Sequence, residues 1–461
     1  MRANLFSVLL PLLFLCCGLL LSSCGGEACK KTNGGIETCD GIDNDCDGRV
    51  DEDPESLCSL PHASSVCEEG FCRILACEDG FSDADGRLIT GCEIPTMCIA
   101  DEPLQRRDAA PWNTCPAPGE LAQALTITAM EREDQYFGAE DRRTVDATAL
   151  LPEESCWQQI FMEIQLECPA SGRCDAWDRT ASVALVTDAQ DPDGGLMELA
   201  RYITPYGVGM CTLVDVTAFA SLLRGEVRLR SFVDTWVGPG NPYGDGWRVS
   251  VRFHFIAGTP VLGVPRVINL LARRNVELGN PENPIPAQLP PFYLETAAGD
   301  PENGAPRPPR LVRLRLLATG HGQGNALNCG EFCRIAPTAS VNGSTHVMDN
   351  WRYDCAANPV NGQQGTWTYS RQGWCPGALV TALDTDITAD LTTGSATEIL
   401  LDFPLSSSET YVNSCRPGAG IEQDGVEICE NCTYGSNACA YDGGAHTAPL
   451  ELVSAQVFLY D

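Results

Sequence analysis

The segment Trp247-Arg248-Val249-Ser250-Val251-Arg252-Phe253-His254-Phe255 alternates without a break. Val249, Val251, Phe253 and Phe255 fall on one side of an extended chain, and Arg248, Ser250, Arg252 and His254 on the other. Only a β-strand projects side chains with period two, so this pattern predicts a half-buried antiparallel strand with one face on a core. The alternation recurs at Val312-Arg313-Leu314-Arg315-Leu316 and, less cleanly, from Val453 to Leu459. Short strands separated by Gly and Pro turns, with almost no helical periodicity beyond about residue 118, predict an all-β chain built of antiparallel sandwiches. Residues 280 to 309, rich in Pro, Asn and Gly, read as an extended loop or surface insertion.

The chain ahead of residue 118 follows other rules. Met1-Arg2, an apolar run from Leu5 to Leu21 and the ending Leu21-Ser22-Ser23-Cys24-Gly25 read as a secretory signal with a bacterial lipoprotein cleavage site, residues 1–23. Lipid on Cys24 would tether the mature chain to a membrane, and Gly25-Gly26-Glu27 lacks the aspartate that retains such proteins at the inner membrane. The expected location is the outer membrane, at its surface. An exported chain with 25 cysteines meets oxidising conditions, and setting aside Cys16, Cys17 and Cys24 leaves an even number for disulfides. Cys429-Glu430-Asn431-Cys432, with Cys415 and Cys439, reads as bridged rather than as a zinc or redox site, because no histidine sits near.

Residues 24–38 read as a tether. Residues 39–98 are dense in Cys, Asp and Gly and too poor in apolar periodicity to hold a core, so they read as a small module stapled by disulfides and metal. Within it, Cys39-Asp40-Gly41-Ile42-Asp43-Asn44-Asp45-Cys46-Asp47-Gly48-Arg49-Val50-Asp51-Glu52 resembles an acidic metal-binding motif repeated in many secreted bacterial proteins. Asp43, Asp45 and Asp47 alternate like the first ligands of a calcium loop, Asp51 is a fourth candidate, and the oxygen-only set suits calcium. Pro54 stands where an EF-hand has its bidentate glutamate. Residues 99–117, with Pro103, Pro111 and Pro116, read as a linker. The formal net charge of −32 excludes nucleic acid and anionic membrane surfaces as electrostatic partners.

Two short cysteine loops carry acids. One is Cys168-Pro169-Ala170-Ser171-Gly172-Arg173-Cys174, followed by Asp175-Ala176-Trp177-Asp178-Arg179, and the other is Cys329-Gly330-Glu331-Phe332-Cys333. A closed loop has few conformations, so its carboxylate is positioned before substrate arrives, as acid-base chemistry on an amide or sugar requires. These loops, with Arg201 to Gly209, Asp215 to Phe219, Thr235-Trp236, Gly258-Thr259-Pro260, Asn358 to Asn361 and Arg371 to Gly377, resemble the peptide-N-glycosidase F family of bacterial amidases.

The resemblance implies two eight-stranded jelly rolls side by side, residues 118–260 and 261–461. It implies disulfides Cys168 with Cys174, Cys329 with Cys333 and Cys355 with Cys375. It implies cleavage of the bond between asparagine and N-acetylglucosamine in an N-glycosylated protein or glycopeptide, by a monomer that needs no cofactor for catalysis. Asp178 corresponds to the family's main catalytic residue and Glu331 to its essential glutamate, while Asp234 stands where the family has a third carboxylate, a glutamate. Trp177, Arg179, Trp236, His321, Arg371 and Trp374 are the expected substrate contacts, with His321 replacing a family tryptophan. A carboxylate set back by roughly 1 Å can cost about 100-fold in rate, so Asp234 puts activity itself at stake. An inactive glycan-binding lipoprotein on the same scaffold is the second reading. A copper monooxygenase is a third, disfavoured because the five histidines form no His-x-His pair. No Gly-x-Ser-x-Gly elbow points to a serine hydrolase.

Overall fold

A computed structural model of the chain describes residues 29–460 except 54–55, 61, 69, 79–80, 83–91, 93, 96–113, 118, 154–155, 189–194, 261, 279–282, 296–297, 300–305, 308, 323–329, 393–394, 405–421, 424–425, 428–439, 442–443 and 446–448. Cys24, Cys329 and the cysteines from 415 to 439 lie outside the described residues. Two compact units are present, Met1–Thr96 and Met97–Asp461.

In the smaller unit a hairpin of Ala63–Glu68 and Phe71–Cys77 is the main regular structure among the described residues. Four disulfides hold the rest: Cys29–Cys46, Cys39–Cys67, Cys58–Cys72 and Cys77–Cys92. Cross-links replace the core that so small and polar a segment cannot form.

The larger unit contains two sandwiches of antiparallel strands. In the first, one sheet runs in the order Met210–Asp215, Trp157–Glu167, Trp247–Ala257, Leu125–Gln135. The other runs Leu196–Ile203, Thr180–Val186, Gly225–Val233, Thr144–Leu151. Counted along the chain, the orders are sixth-third-eighth-first and fifth-fourth-seventh-second, the double Greek key of a jelly roll. The second sandwich repeats both orders. Arg266–Glu277, Leu450–Tyr460, Leu311–His321 and Leu383–Asp386 form one sheet, and Phe292–Leu294, Thr397–Asp402, Thr338–Val341 and Ser344–Val347 the other. The expected surface insertion at 280–309 therefore contributes a sheet strand, Phe292–Leu294, paired with Thr397–Ile399.

Val249, Val251, Phe253 and Phe255 are fully buried in the first core, as their alternation predicts. The opposite face departs from the half-buried expectation: Ser250 and His254 are also buried. His254 contacts Thr126 Oγ1 at 2.9 Å and Glu163 Oε2 at 3.1 Å, so neighbouring polar side chains, not water, cover that face.

The two sandwiches are joined by backbone and by charge. Ala378–Leu379, from the second half of the chain, adds a fifth strand to the first sandwich beside Tyr202–Ile203. Arg201, wholly buried, is paired with Glu198 at 2.7 Å and donates to Thr319 Oγ1 at 3.1 Å and to the Leu452 carbonyl across the seam. Ser454 completes the set by donating to Glu198 Oε2. Phe219 meets Phe458 edge-on, with centroids 5.2 Å apart.

Candidate active site

Each sandwich projects an acid from the same connection, that between its third and fourth strands. In the first sandwich this loop is pinned by the Cys168–Cys174 disulfide and by buried Asp175. Asp175 accepts from the Thr235 hydroxyl at 2.7 Å, Arg179 Nε at 2.8 Å and the Trp177 amide at 3.0 Å. Gly244 packs so closely here that a Cβ would fall 2.2 Å from the Cys174 carbonyl, and its φ of +132° also demands glycine. The result is a rigid base from which Asp178 projects.

In the second sandwich the loop carrying Glu331 is held by its neighbours. The Glu331 amide bonds the Gly322 carbonyl at 3.0 Å, and the Gln372 amide bonds the Glu331 carbonyl at 2.9 Å. Gln372 then bonds both the amide and the carbonyl of Ile335, each at 3.0 Å. Cys333 is disulfide-bonded, Cys355 is joined to Cys375, and Gly320 lies where a Cβ would meet the Gly330 carbonyl at 2.2 Å.

Arg371 links the two acids. Its Nε donates to Glu331 Oε1 at 2.8 Å, and its Nη2 lies 3.8 Å from Asp178 Oδ2. The remaining donors go to Thr366 Oγ1 at 2.7 Å, the Thr366 carbonyl at 2.7 Å and the Tyr369 carbonyl at 3.0 Å. The Tyr206 hydroxyl donates to Asp178 Oδ2 at 2.7 Å. One cation thus serves two half-buried carboxylates, and the electrostatics follow from that count. Burial, then the charge of Asp178, pushes Glu331 up to about 7 against the pull of Arg371. Asp178 is raised by burial too, opposed first by its hydrogen bond from Tyr206 and then by Arg371. The Tyr206 phenol is raised by burial and by the facing Asp178.

The other expected residues divide. Trp177 and Trp236 stand exposed, at 47% and 52%, and Trp177 is 6.1 Å from the ring of Tyr243. Arg179 turns inward to Asp175. Arg371 and Trp374 were expected to touch substrate, yet Arg371 is fully buried and Trp374 is only 3% exposed. Trp374 donates from Nε1 to the Gly320 carbonyl at 2.8 Å, lies under Arg371 at 4.8 Å and stacks on His321 at 5.4 Å. Arg371 bonds Glu331 directly, and Trp374 packs beneath the Arg371 guanidinium. His321 bonds Thr319 Oγ1 at 2.9 Å, and burial followed by the charge of Arg201 lowers its pKa to about 3, so its ring is neutral.

Asp234 is not brought onto Arg371. It pairs with Arg143 at 3.3 Å, whose guanidinium lies 4.5 Å over Trp236 and 4.8 Å over Phe137. Its amide nonetheless bonds the Thr180 carbonyl, two residues after Asp178. Asp175, Tyr206 and Thr366 are the residues that sequence reasoning missed as functional. Asp175 and Tyr206 fall within the blocks already singled out, but nothing in the spacing says which side chain faces the acid.

In the smaller unit, carboxylate oxygens of Glu37, Asp43 and Asp45 lie within 4.8 Å of one another, as do those of Asp45, Asp47 and Glu52. Asp51, expected as a ligand, instead accepts from the amides of Asp40 and Gly41 at 3.1–3.2 Å. Glu37 and Glu52 take its place in the cluster, and Glu52 Oε2 is buried without a hydrogen-bond partner. An oxygen-only set with an orphaned buried oxygen fits a hard cation, and Cys29, Cys39, Cys46 and Cys67 are locked in disulfides and offer no thiolate. None of the metal-capable clusters among the described residues contains a histidine.

Residues 303–414 match the family described as "Peptide-N-glycosidase F, C terminal", and residues 28–52 match the Cu-binding MopE metal-binding motif. A curated relative, the peptide-N(4)-(N-acetyl-beta-D-glucosaminyl)asparagine amidase F of Elizabethkingia miricola, is 28% identical over 286 residues, 59% of this chain and 75% of the relative. The solved structure of PNGase F, a glycosylasparaginase from Flavobacterium meningosepticum, superposes with a TM-score of 0.52 at 24% identity, covering 73% of this chain and 96% of that one. PNGF-II superposes with a TM-score of 0.52 at 15% identity, covering 74% of this chain and 65% of its own. The chain resembles the peptide-N-glycosidase F family in sequence and shares its double jelly-roll fold.

Proposed function

We propose that this chain is an exported amidase that hydrolyses the bond between asparagine and N-acetylglucosamine in N-glycosylated proteins or glycopeptides. The observation that carries this reading is the pair Asp178 and Glu331, one from each sandwich, held on a single buried Arg371, with burial raising both and Glu331 pushed up to about 7. Two carboxyl groups facing one guanidinium can divide the work of base and acid when one of them keeps its proton near neutrality. Asp178, bonded by the Tyr206 hydroxyl, takes a proton from water as the water oxygen attacks the side-chain carbonyl. Glu331 keeps its proton near neutrality and gives it to the departing nitrogen. The amide C–N bond then breaks to leave aspartate and a glycosylamine. Arg371, Tyr206 and Thr366 position the acids, and exposed Trp177 and Trp236 offer flat faces to the sugar. Asp234, tied to Arg143, orients Trp236 through the guanidinium stacked on its ring.

Incubating the protein with a denatured N-glycoprotein tests the reading. Free glycan together with a new aspartate at the former glycosylation site is expected. Binding without release would favour the inactive glycan binder instead.

The acid assignment has its own test. The rate should fall as pH rises through about 7, because Glu331 loses the proton it must donate. Glu331→Gln should abolish that alkaline limb along with most of the rate. A pH profile of kcat/KM on a labelled glycopeptide reads both, and an unchanged limb in Glu331→Gln would assign the titration to another group.

The smaller unit is read as a calcium module, with Glu37, Asp43, Asp45, Asp47 and Glu52 supplying oxygens. Chelation should loosen it, since five carboxylates repel one another without a cation. We expect faster limited proteolysis within residues 29–92 in chelator than in calcium, with the sandwiches unaffected; equal rates would remove the cation from the module. The disulfides support an oxidising compartment, and lipid on Cys24, an outer-membrane surface location and a monomeric state complete the proposal. The sandwiches are read as spanning 118–260 and 261–461.

A further inference from the structure

A cavity of about 210 Å³ opens in the seam between the sandwiches at the end remote from the two acids. Arg313 in its wall and His321 beside the acids lie on one strand, Leu311–His321, eight residues apart. At about 3.3 Å per residue the separation is roughly 26 Å. The other long strands agree: Gln158 and Tyr460 line the cavity from ends of Trp157–Glu167 and Leu450–Tyr460 opposite to those that approach the acids. This cavity is therefore a separate site.

Its wall holds polar groups without partners. Arg315 is spent on Asp384, which it grips with two hydrogen bonds of 2.7 and 2.8 Å. Arg313 has the same opportunity with Asp386, directly opposite in the ladder. Asp386 instead turns its Oδ1 to the amide and hydroxyl of Thr388. Among the described residues Arg313 is left with no side-chain hydrogen bond or close ion pair, and its charge acts on Asp386 and Tyr460 only from a distance. Asp215 uses only Oδ1, on the amide and hydroxyl of Thr217. The Tyr460 hydroxyl has no bonded partner there either, and its ring is 5% exposed. Pro260 and Leu262 supply an apolar side.

A cation, a carboxylate oxygen and a phenol that spend no hydrogen bond among the described residues, around one small cavity, set the ligand chemistry. An anion would satisfy Arg313 but face Asp215, and a cation would do the reverse. A hydroxyl both donates and accepts, so a ring bearing several hydroxyls satisfies all three groups and lays its C–H face on Leu262. A cavity of about 150 Å³ admits one benzene ring, so this one takes a single substituted six-membered ring. We propose that the seam holds a binding site for one neutral monosaccharide unit, recognised by Arg313, Asp215 and Tyr460. The proposal is independent of the amidase reading.

Calorimetric titration of the full chain with N-acetylglucosamine, and separately with mannose, tests it. Saturable binding is expected for at least one of the two sugars. Arg313→Gln should weaken it about tenfold, as the loss of one charge-assisted hydrogen bond would. Tyr460→Phe, which removes only a hydroxyl, should weaken it by a smaller factor. Trp177→Ala should leave this binding unchanged, and glycan release by Arg313→Gln should equal that of the parent. Three results would each overturn the proposal: no saturable binding at millimolar sugar, binding lost in Trp177→Ala but kept in Arg313→Gln, or Arg313-dependent binding of sodium acetate with none of sugar.

Discussion

Asp178→Asn is expected to lower glycan release by about 10²- to 10⁴-fold in kcat/KM, the range that a positioned general base contributes, while leaving the melting temperature nearly unchanged. The amide keeps the shape of the carboxylate and can still accept from the Tyr206 hydroxyl, so the loop on Asp175 and Thr235 has no reason to move. What disappears is the negative charge. Arg371 then serves one carboxylate instead of two, and Glu331, held up at about 7 partly by the charge of Asp178, should titrate lower. The variant therefore carries a second signature besides lost rate. Its Glu331 carboxyl, followed by ¹³C NMR, should ionise at lower pH than in the parent. Retained glycan release would move the base elsewhere; an unshifted Glu331 would mean that the two acids do not share Arg371 in solution.

The largest stability effect is expected at Arg201. Burial works to raise Glu198, but the charge and hydrogen bonds of Arg201 outweigh it and hold Glu198 below its ordinary value. Arg201→Ala leaves that carboxylate buried with no countercharge within bonding distance and strips partners from Thr319 and the Leu452 carbonyl on the facing sandwich. Removing one member of such a pair costs about 3–5 kcal/mol. Arg201→Met combined with Glu198→Leu removes both charges, and because apolar replacements of a whole buried pair are often neutral, most of the loss should return. Urea unfolding of the single and double variants measures both, and a single-variant loss below about 1 kcal/mol would mean that water reaches the seam.

Physical differences between kinds of signal explain which residues were legible in advance. Trp177 and Trp374 each stand beside a cysteine loop, and nothing in composition separates them. One is half exposed, and the other is sealed under Arg371 and His321. Burial depends on what packs from the opposite element, and that element is remote in sequence. Asp51 stands apart from Asp43, Asp45 and Asp47 for a related reason. Acids at every second position look equivalent along a chain, but the turn of residues 40–41 takes Asp51 as a cap, and Glu37 from upstream closes the cluster. Tyr206 occupies in the first sandwich the connection that Arg371 occupies in the second, so its role follows from the repeat of one topology, visible only when both sheets are traced.

Period-two alternation, a local property set by the geometry of each strand, determined by itself that this chain is a β-sandwich protein. Cysteine spacing set a short rigid loop ahead of Asp178, because five residues between bridged sulfurs leave the chain few paths. The tertiary structure alone decided that these two acids share one guanidinium, that Asp234 does not join them, and that a cavity lined by Arg313 lies at the far end of the same strands. Each of those outcomes is a contact between segments brought together by packing of the two sandwiches, where charge, burial and hydrogen bonding depend on distance in space and not on distance along the chain.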